Sequence, residues 1–209
     1  MAAQHVRETH PPMPAAAIIL AAGSASRMGS LKQLLPYGNG TLLTHSIQQA
    51  QQAGFDRIIV VVGAESERVR SSLTGQPVEI AFNENWEVGM GSSIAAGMQR
   101  FRTAEPLLPV LGILLADQPG VSAAHLLAMR EQLESTARAA VAAQYANRLG
   151  VPALFREELY ALLAALPPES GAKYLLRDSG VAVSAFPLPE AATDIDTPSD
   201  FAALETMRT

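Results

Sequence analysis

The chain has 209 residues, of which 48% are hydrophobic and 17% charged, with a formal net charge of −5 and no cysteine. That is enough apolar material for one domain with a full core, and it excludes a mainly disordered chain. The negative balance offers no global attraction to nucleic acid or an anionic membrane, and the lack of thiols excludes disulfides, thiolate metal sites and cysteine nucleophiles.

Residues 1–14, MAAQHVRETHPPMP, lack the apolar core of a signal peptide and read as a loose tail ending in prolines. AAIILA (16–21) follows, too short to cross a membrane and therefore a buried strand. A cytoplasmic protein is expected. RIIVVVG (57–63), VEIAF (78–82) and VLGILLAD (110–117) read as further strands, and several are apolar without alternation, as strands are when helices cover both faces of a parallel sheet. Between them lie helical stretches at 41–54, closed by Gly54, at 64–73, at 91–101, and at 122–136, opened by the N-cap residue Ser122. Residues 138–155 have room for one or two strands, 156–166 for a helix and 181–186 for a short strand, with a final helix from Pro198. No repeat or linker divides the chain. Alternating strands and helices predict an α/β protein with a doubly wound, mostly parallel sheet and helices on both faces.

Four stretches have the residues for chemistry. In open α/β sheets ligands sit beyond the carboxyl ends of the strands, where the loop 22–32 must emerge. Gly23 and Gly29 permit close backbone approach, and Arg27 and Lys32 bring charge that suits phosphate. The spacing Gly-x5-Gly-x2-Lys is neither a P-loop nor a dinucleotide fingerprint, so a turn with two solvated cations remains open. Asp117, at the end of an oily run before Pro119, is where a strand would offer a carboxylate to Mg²⁺, or simply begin a turn. Gly89, Gly91, Ser92 and Ser93 lead into a helix beside Trp86; amides and hydroxyls there suit a nucleotide, or cap the helix. In TDIDTPSDF (193–201), Asp200 belongs to a helix start, whereas Asp194 and Asp196 alternate along an extended segment and share a face. His5, His10, His45 and His125 are scattered, and no zinc-hydrolase or serine-hydrolase motif occurs.

Taken in order, LAAGSASRMGSLKQLLP, NENWEVGMGSSIAAG, LADQP, GVPALF and DIDTPSDF resemble the molybdenum cofactor cytidylyltransferase family, within the MobA-like nucleotidyltransferases, over almost the whole chain after residue 14. The resemblance implies a Rossmann-like fold in a single domain, 15–209, with 15–137 mainly nucleotide-binding and 138–209 mainly acceptor-binding. It implies transfer of CMP from CTP to the terminal phosphate of Mo-molybdopterin with release of pyrophosphate, using Mg²⁺, and a molybdoenzyme as a possible recipient of the product. By position, Leu20, Ala21, Ala22, Gly23 and Gly29 would cradle the nucleotide. Arg27 and Lys32 would neutralise the triphosphate, Asp117 and Asp196 would hold the metal, and Gly89, Gly91, Ser92 and Ser93 would lie against the nucleoside. LAAG at 20–23 is closer to the cytidylyl branch than to the guanylyl one. The chain departs from the family at Glu84, where proline is usual, at Glu169 and Lys173, where aspartate and arginine are usual, and near Asn147, where a glycine is common. Most of these departures lie in the half expected to bind the acceptor and leave its identity more open than the donor's; the alternatives are GTP as donor, a sugar or polyol phosphate as acceptor, and a cofactor-binding chaperone.

Overall fold

In a computed structural model of the chain, residues 12–24, 31–177, 180–193 and 200–201 are described. Strands β1 (Ala15–Leu20), β4 (Arg57–Val62), β5 (Glu79–Phe82) and β6 (Val110–Leu115) form the parallel part of a seven-stranded sheet ordered β5-β4-β1-β6-β8-β7-β9. The stretch 138–155 supplies two strands, β7 (Ala140–Tyr145) and β8 (Arg148–Arg156). β8 is antiparallel to both neighbours, and β9 (Val183–Pro187) pairs parallel with β7 at the edge. A two-residue hairpin, β2 (Pro36–Tyr37) and β3 (Gly40–Thr41), has no counterpart in the sequence reading because each arm is too short to show a period.

Side chains of β1 alternate between two cores. Ala15, Ala17 and Ile19 pack with helices α1 (Leu42–Gln52), α2 (Ser66–Ser72) and α4 (Ala123–Ser135); Ala16, Ile18 and Leu20 pack with α3 (Met90–Phe101), α5 (Tyr160–Ala164) and α6 (Lys173–Arg177). Helices therefore cover both faces, as the unbroken apolar strands require. Each fully buried Ile or Leu in these layers contributes about 1.5–3 kcal/mol. On α3 the close approach is made at Gly97, where a Cβ would lie 2.7 Å from a methyl of Ile18. Thr41 and Thr44 close a capping box on α1, and Ser122 with His125 closes one on α4, so the Ser122 start is where the sequence places it. The helix expected at 156–166 is shorter: a 3-10 turn, Glu157–Leu159, leads into five α-helical residues.

Polar side chains fasten the frame at the end away from the strand carboxyl termini. Arg57 grips both oxygens of Glu79, and Arg100 also meets Glu79, which holds that carboxyl below its usual range against the opposing cost of burial. Buried Arg130 on α4 donates to the carbonyls of Ala53 and Gly54, closing the C-terminus of α1, and to Met13, while Met13 N–H donates to Glu134. Desolvation lowers the Arg130 pKa, opposed by the charges of Glu134 and Asp56. Thus the last residues of the expected loose tail are tied to α4. No helix among the described residues is long and apolar enough to cross a membrane.

Candidate active site

The turn after β1 keeps the order of the strand. Ala21 N–H donates to Val61 (2.9 Å) and the carbonyl of Ala22 accepts from Ala64 (3.1 Å), so pairing with β4 continues two residues past Leu20. The buried Gln33 amide donates to the carbonyls of Ala21 (3.0 Å) and Gly23 (3.2 Å), drawing the loop closed from behind. A Cβ at Gly23 would meet nothing within 4 Å among the described residues, leaving open space before the loop. Arg27 and Gly29 lie outside the described residues, as do Asp194 and Asp196.

Lys32 and Asp117, 85 residues apart in sequence, meet here. Lys32 Nζ donates to Asp117 Oδ2 at 2.9 Å, with side-chain exposures of 25% and 20%. β6 ends at Leu115, two residues earlier than expected, so Asp117 stands in the turn beyond it; Ala116 N–H still donates to Leu20 and keeps that turn beside β1. Among the described residues no group of three or more acidic or histidine ligands occurs. A single hard carboxylate beside a lysine nevertheless fits a divalent cation of the Mg²⁺ type, which keeps waters and takes most of its other oxygens from substrate phosphates.

The Gly89–Ser93 loop turns its serines inward. Ser92 and Ser93 are buried; Asn83 Nδ2 donates to both hydroxyls, at 2.9 and 3.0 Å, and the Ser92 hydroxyl donates toward the carbonyls of Gly89 and Asn85. The Ser92 amide is taken by Pro168. At Gly91 a Cβ would fall 2.1 Å from the Pro167 carbonyl, so glycine is required where segment 167–170 crosses the start of α3. Only backbone and the loop's outer surface are left for a ligand. Trp86, half-buried, packs on Gly63: a Cβ there would lie 2.6 Å from the Trp86 Cβ and 2.9 Å from that of Ala22. Trp86 thus packs at the end of β4, against the core cluster that also holds Leu20 and Ala22. Gln33 and Asn83, which set these two loops, carry no signal in the sequence, since a lone amide beside apolar residues has no spacing to recognise.

Beside this, a cavity of about 340 Å³ is lined by Leu115, Tyr145, Arg148, Glu169, Lys173 and Arg177, among others. Arg177 is spent on the Leu149 carbonyl (2.9 and 2.7 Å). Arg148 and Lys173 make no ion pair with the described residues, and both are exposed at the rim. Arg148 is set there by a two-residue turn, Ala146 (φ 46°) and Asn147 (φ 56°), between β7 and β8. Asn147 tolerates the left-handed conformation that explains why a glycine is common near this point.

A model of the MobA-like NTP transferase domain matches residues 17–183. The chain belongs to the MobA-like NTP transferase family. It is therefore a nucleotidyltransferase by type, and the sheet and flanking helices are those of its family's fold. Nicotine blue oxidoreductase of Paenarthrobacter nicotinovorans is 29% identical over 86% of the chain and 91% of that protein. The purine catabolism protein PucB of Bacillus subtilis is 27% identical over 88% and 92%. Among solved structures, the Rv0371c protein of Mycobacterium tuberculosis superposes with a TM-score of 0.78 at 27% identity, covering 93% of this chain and 98% of that one. A second structure of the same protein is a complex with manganese, at a TM-score of 0.74 and 26% identity over 91% and 97% of the two chains.

Proposed function

We propose that this MobA-like transferase moves CMP from CTP to the terminal phosphate of Mo-molybdopterin, with Mg²⁺, and releases pyrophosphate. The observation that carries the reading is the Lys32–Asp117 pair at the mouth of the Gly23 loop: one cation for a triphosphate, one carboxylate for a metal, both at the carboxyl edge of the sheet. An oxygen of the acceptor phosphate attacks the α-phosphorus of CTP, and the bond from that phosphorus to the bridging oxygen breaks. Its electron pair leaves on pyrophosphate. The attacking phosphate is ionised near pH 7, since its second pKa is about 6, so no general base is needed. The protein's work is positioning and charge neutralisation.

Lys32 exchanges its bond to Asp117 for the triphosphate when the nucleotide enters, and Arg27 would add a second charge. Asp117 and Asp196 would hold the metal, which when bound neutralises phosphate oxygens as a Lewis acid. The backbone of Leu20–Gly23 and Gly29 cradles the nucleotide, and Gly89 and Gly91 border the nucleoside by their backbone while Ser92 and Ser93 hold that loop in shape. The cavity edged by Arg148 and Lys173 takes the anionic acceptor. A related structure is a complex with manganese, which supports the use of a divalent metal.

The relative named as an oxidoreductase raises hydride transfer as a second reading. Against it, the sequence has no G-x-G-x-x-G, the loop by which a strand–helix turn takes a dinucleotide. One assay separates the readings. Purified protein is incubated with molybdopterin and labelled CTP or GTP, and separately with reduced nicotinamide dinucleotides and a quinonoid dye as hydride acceptor. Pyrophosphate release with CTP supports the proposal. Preference for GTP moves it to guanylyl transfer, oxidation of the dinucleotide overturns it, and product handover without pyrophosphate release indicates a cofactor chaperone.

A further inference from the structure

Gln118 follows the candidate metal carboxylate, is only 2% exposed, and spans three parts of the molecule. Its backbone belongs to the turn that carries Asp117, and its carbonyl accepts from Val121 to close that turn. Its side-chain nitrogen donates to the carbonyl of Ala191 (2.9 Å), in the turn Pro189–Ala192, and to that of Val151 (3.3 Å), on β8. Two acceptors on one side fix the amide with its NH₂ toward them. Val151 lines the 340 Å³ cavity and stands in a β-bulge: Ala142 pairs with Ala153 and Ala143 with Gly150, so Val151 and Pro152 have no partner on β7. A carbonyl freed by a bulge needs another donor. Val151 finds two, Gln118 and the Tyr145 hydroxyl at 3.1 Å.

The remaining amide oxygen is buried with no hydrogen-bond partner among the described residues, which costs the fold about 1–3 kcal/mol. A buried amide left part-paired one position from Asp117 calls for an explanation, and its place points to a role in the site.

We infer that Gln118 is a positioning residue that makes the Asp117 turn, the bulged floor of the acceptor cavity and the Pro189–Ala192 turn move as one unit, so that metal–nucleotide binding shapes the acceptor cavity. This rests on Asp117 holding the metal and on the cavity taking the acceptor. Gln118 does not touch the Asp117 carboxylate, so its effect passes through the backbone of the turn; coupling between sites of this kind typically changes affinity by roughly 5–150-fold and is reciprocal.

The test uses full-length protein and Mn²⁺ as the probe, titrated by electron paramagnetic resonance with CTP present. Gln118→Met, close in size but without donors, is expected to weaken Mn²⁺ binding about tenfold while metal-free CTP binding stays unchanged. In the wild type, Mn²⁺ with CTP is expected to slow hydrogen exchange in 148–153 and 188–193 together, although no acceptor is present. This second measurement stands even if the variant fails to fold. Wild-type Mn²⁺ affinity in a folded Gln118→Met protein would show a packing pin only and overturns the inference. So does wild-type exchange in those segments that ignores Mn²⁺ and CTP. Asp117→Asn is the control for the underlying reading: if it binds Mn²⁺ with CTP as well as wild type does, the metal assignment itself falls, whatever Gln118 does.

Discussion

The two sides of β6 are built differently. On the β1–β4 side, polar groups near the site are committed: buried Gln33 to the Gly23 loop, buried Asn83 to Ser92 and Ser93, and half-buried Lys32 to Asp117. On the β8–β7 side, the cavity edge carries Arg148 and Lys173 exposed and without ion pairs among the described residues. The first side is pre-organised, and such rigidity suits a group that never changes, a nucleoside triphosphate. On the proposed reading, the second side, with its charge on long exposed side chains, is where a few substitutions would set the acceptor. Glu169 and Lys173, both departures from the family pattern, fall on this second side.

The contrast can be broken most sharply at Asp117. Asp117→Asn should lower turnover about a hundredfold or more, as loss of a group that neutralises transition-state charge does, while circular dichroism shows the fold unchanged. At the cavity rim, Lys173→Ala and Arg148→Ala should each raise the acceptor KM about tenfold, the loss of one charge-assisted contact, and leave CTP affinity as it was. An equal loss for both substrates would erase the distinction between the sides. In the committed half, Ser92→Ala should cost about 1–3 kcal/mol in urea unfolding, because Asn83 and two carbonyls lose a buried partner; a neutral result would mean the loop is held by packing instead.

Smaller effects sharpen the edges of the comparison. Ala146→Gly should stabilise by about 0.5–1 kcal/mol, since alanine at φ 46° is strained where glycine is not. Glu79 lies at the far end of the frame. Its pKa is lowered in the folded state, chiefly by the bond from Arg57. Its contribution is therefore complete above the ordinary carboxylate value and is lost as pH falls through the lowered one. Melting temperatures of wild type and Glu79→Gln should differ fully above the ordinary carboxylate value and draw together progressively as pH falls below it toward the lowered one.

Much of the frame was legible in the chain. Continuous runs such as AAIILA and RIIVVV announce parallel strands covered on both faces, and Ser122 announces its helix, because period and capping are local properties. β8 was not resolved from β7, since a two-residue turn of Ala146 and Asn147 lacks the usual glycine. Asp117 is marked as a candidate by its place after an oily run, whereas its partner Lys32 is joined to it only through the sheet order that sets β1 beside β6. Gln33, Asn83 and Gln118 escaped notice because a buried amide acts on distant carbonyls, and nothing in the neighbouring sequence marks them.

The donor site is tested most directly through Trp86, the chain's only tryptophan, which packs on Gly63 just beyond β4. Its fluorescence should change saturably on titration with CTP and Mg²⁺, with weaker binding for GTP and a loss of the Mg²⁺ dependence in Asp117→Asn. A flat response to both nucleotides, confirmed by calorimetry showing no heat of binding, would contradict a nucleotide site at the end of β1.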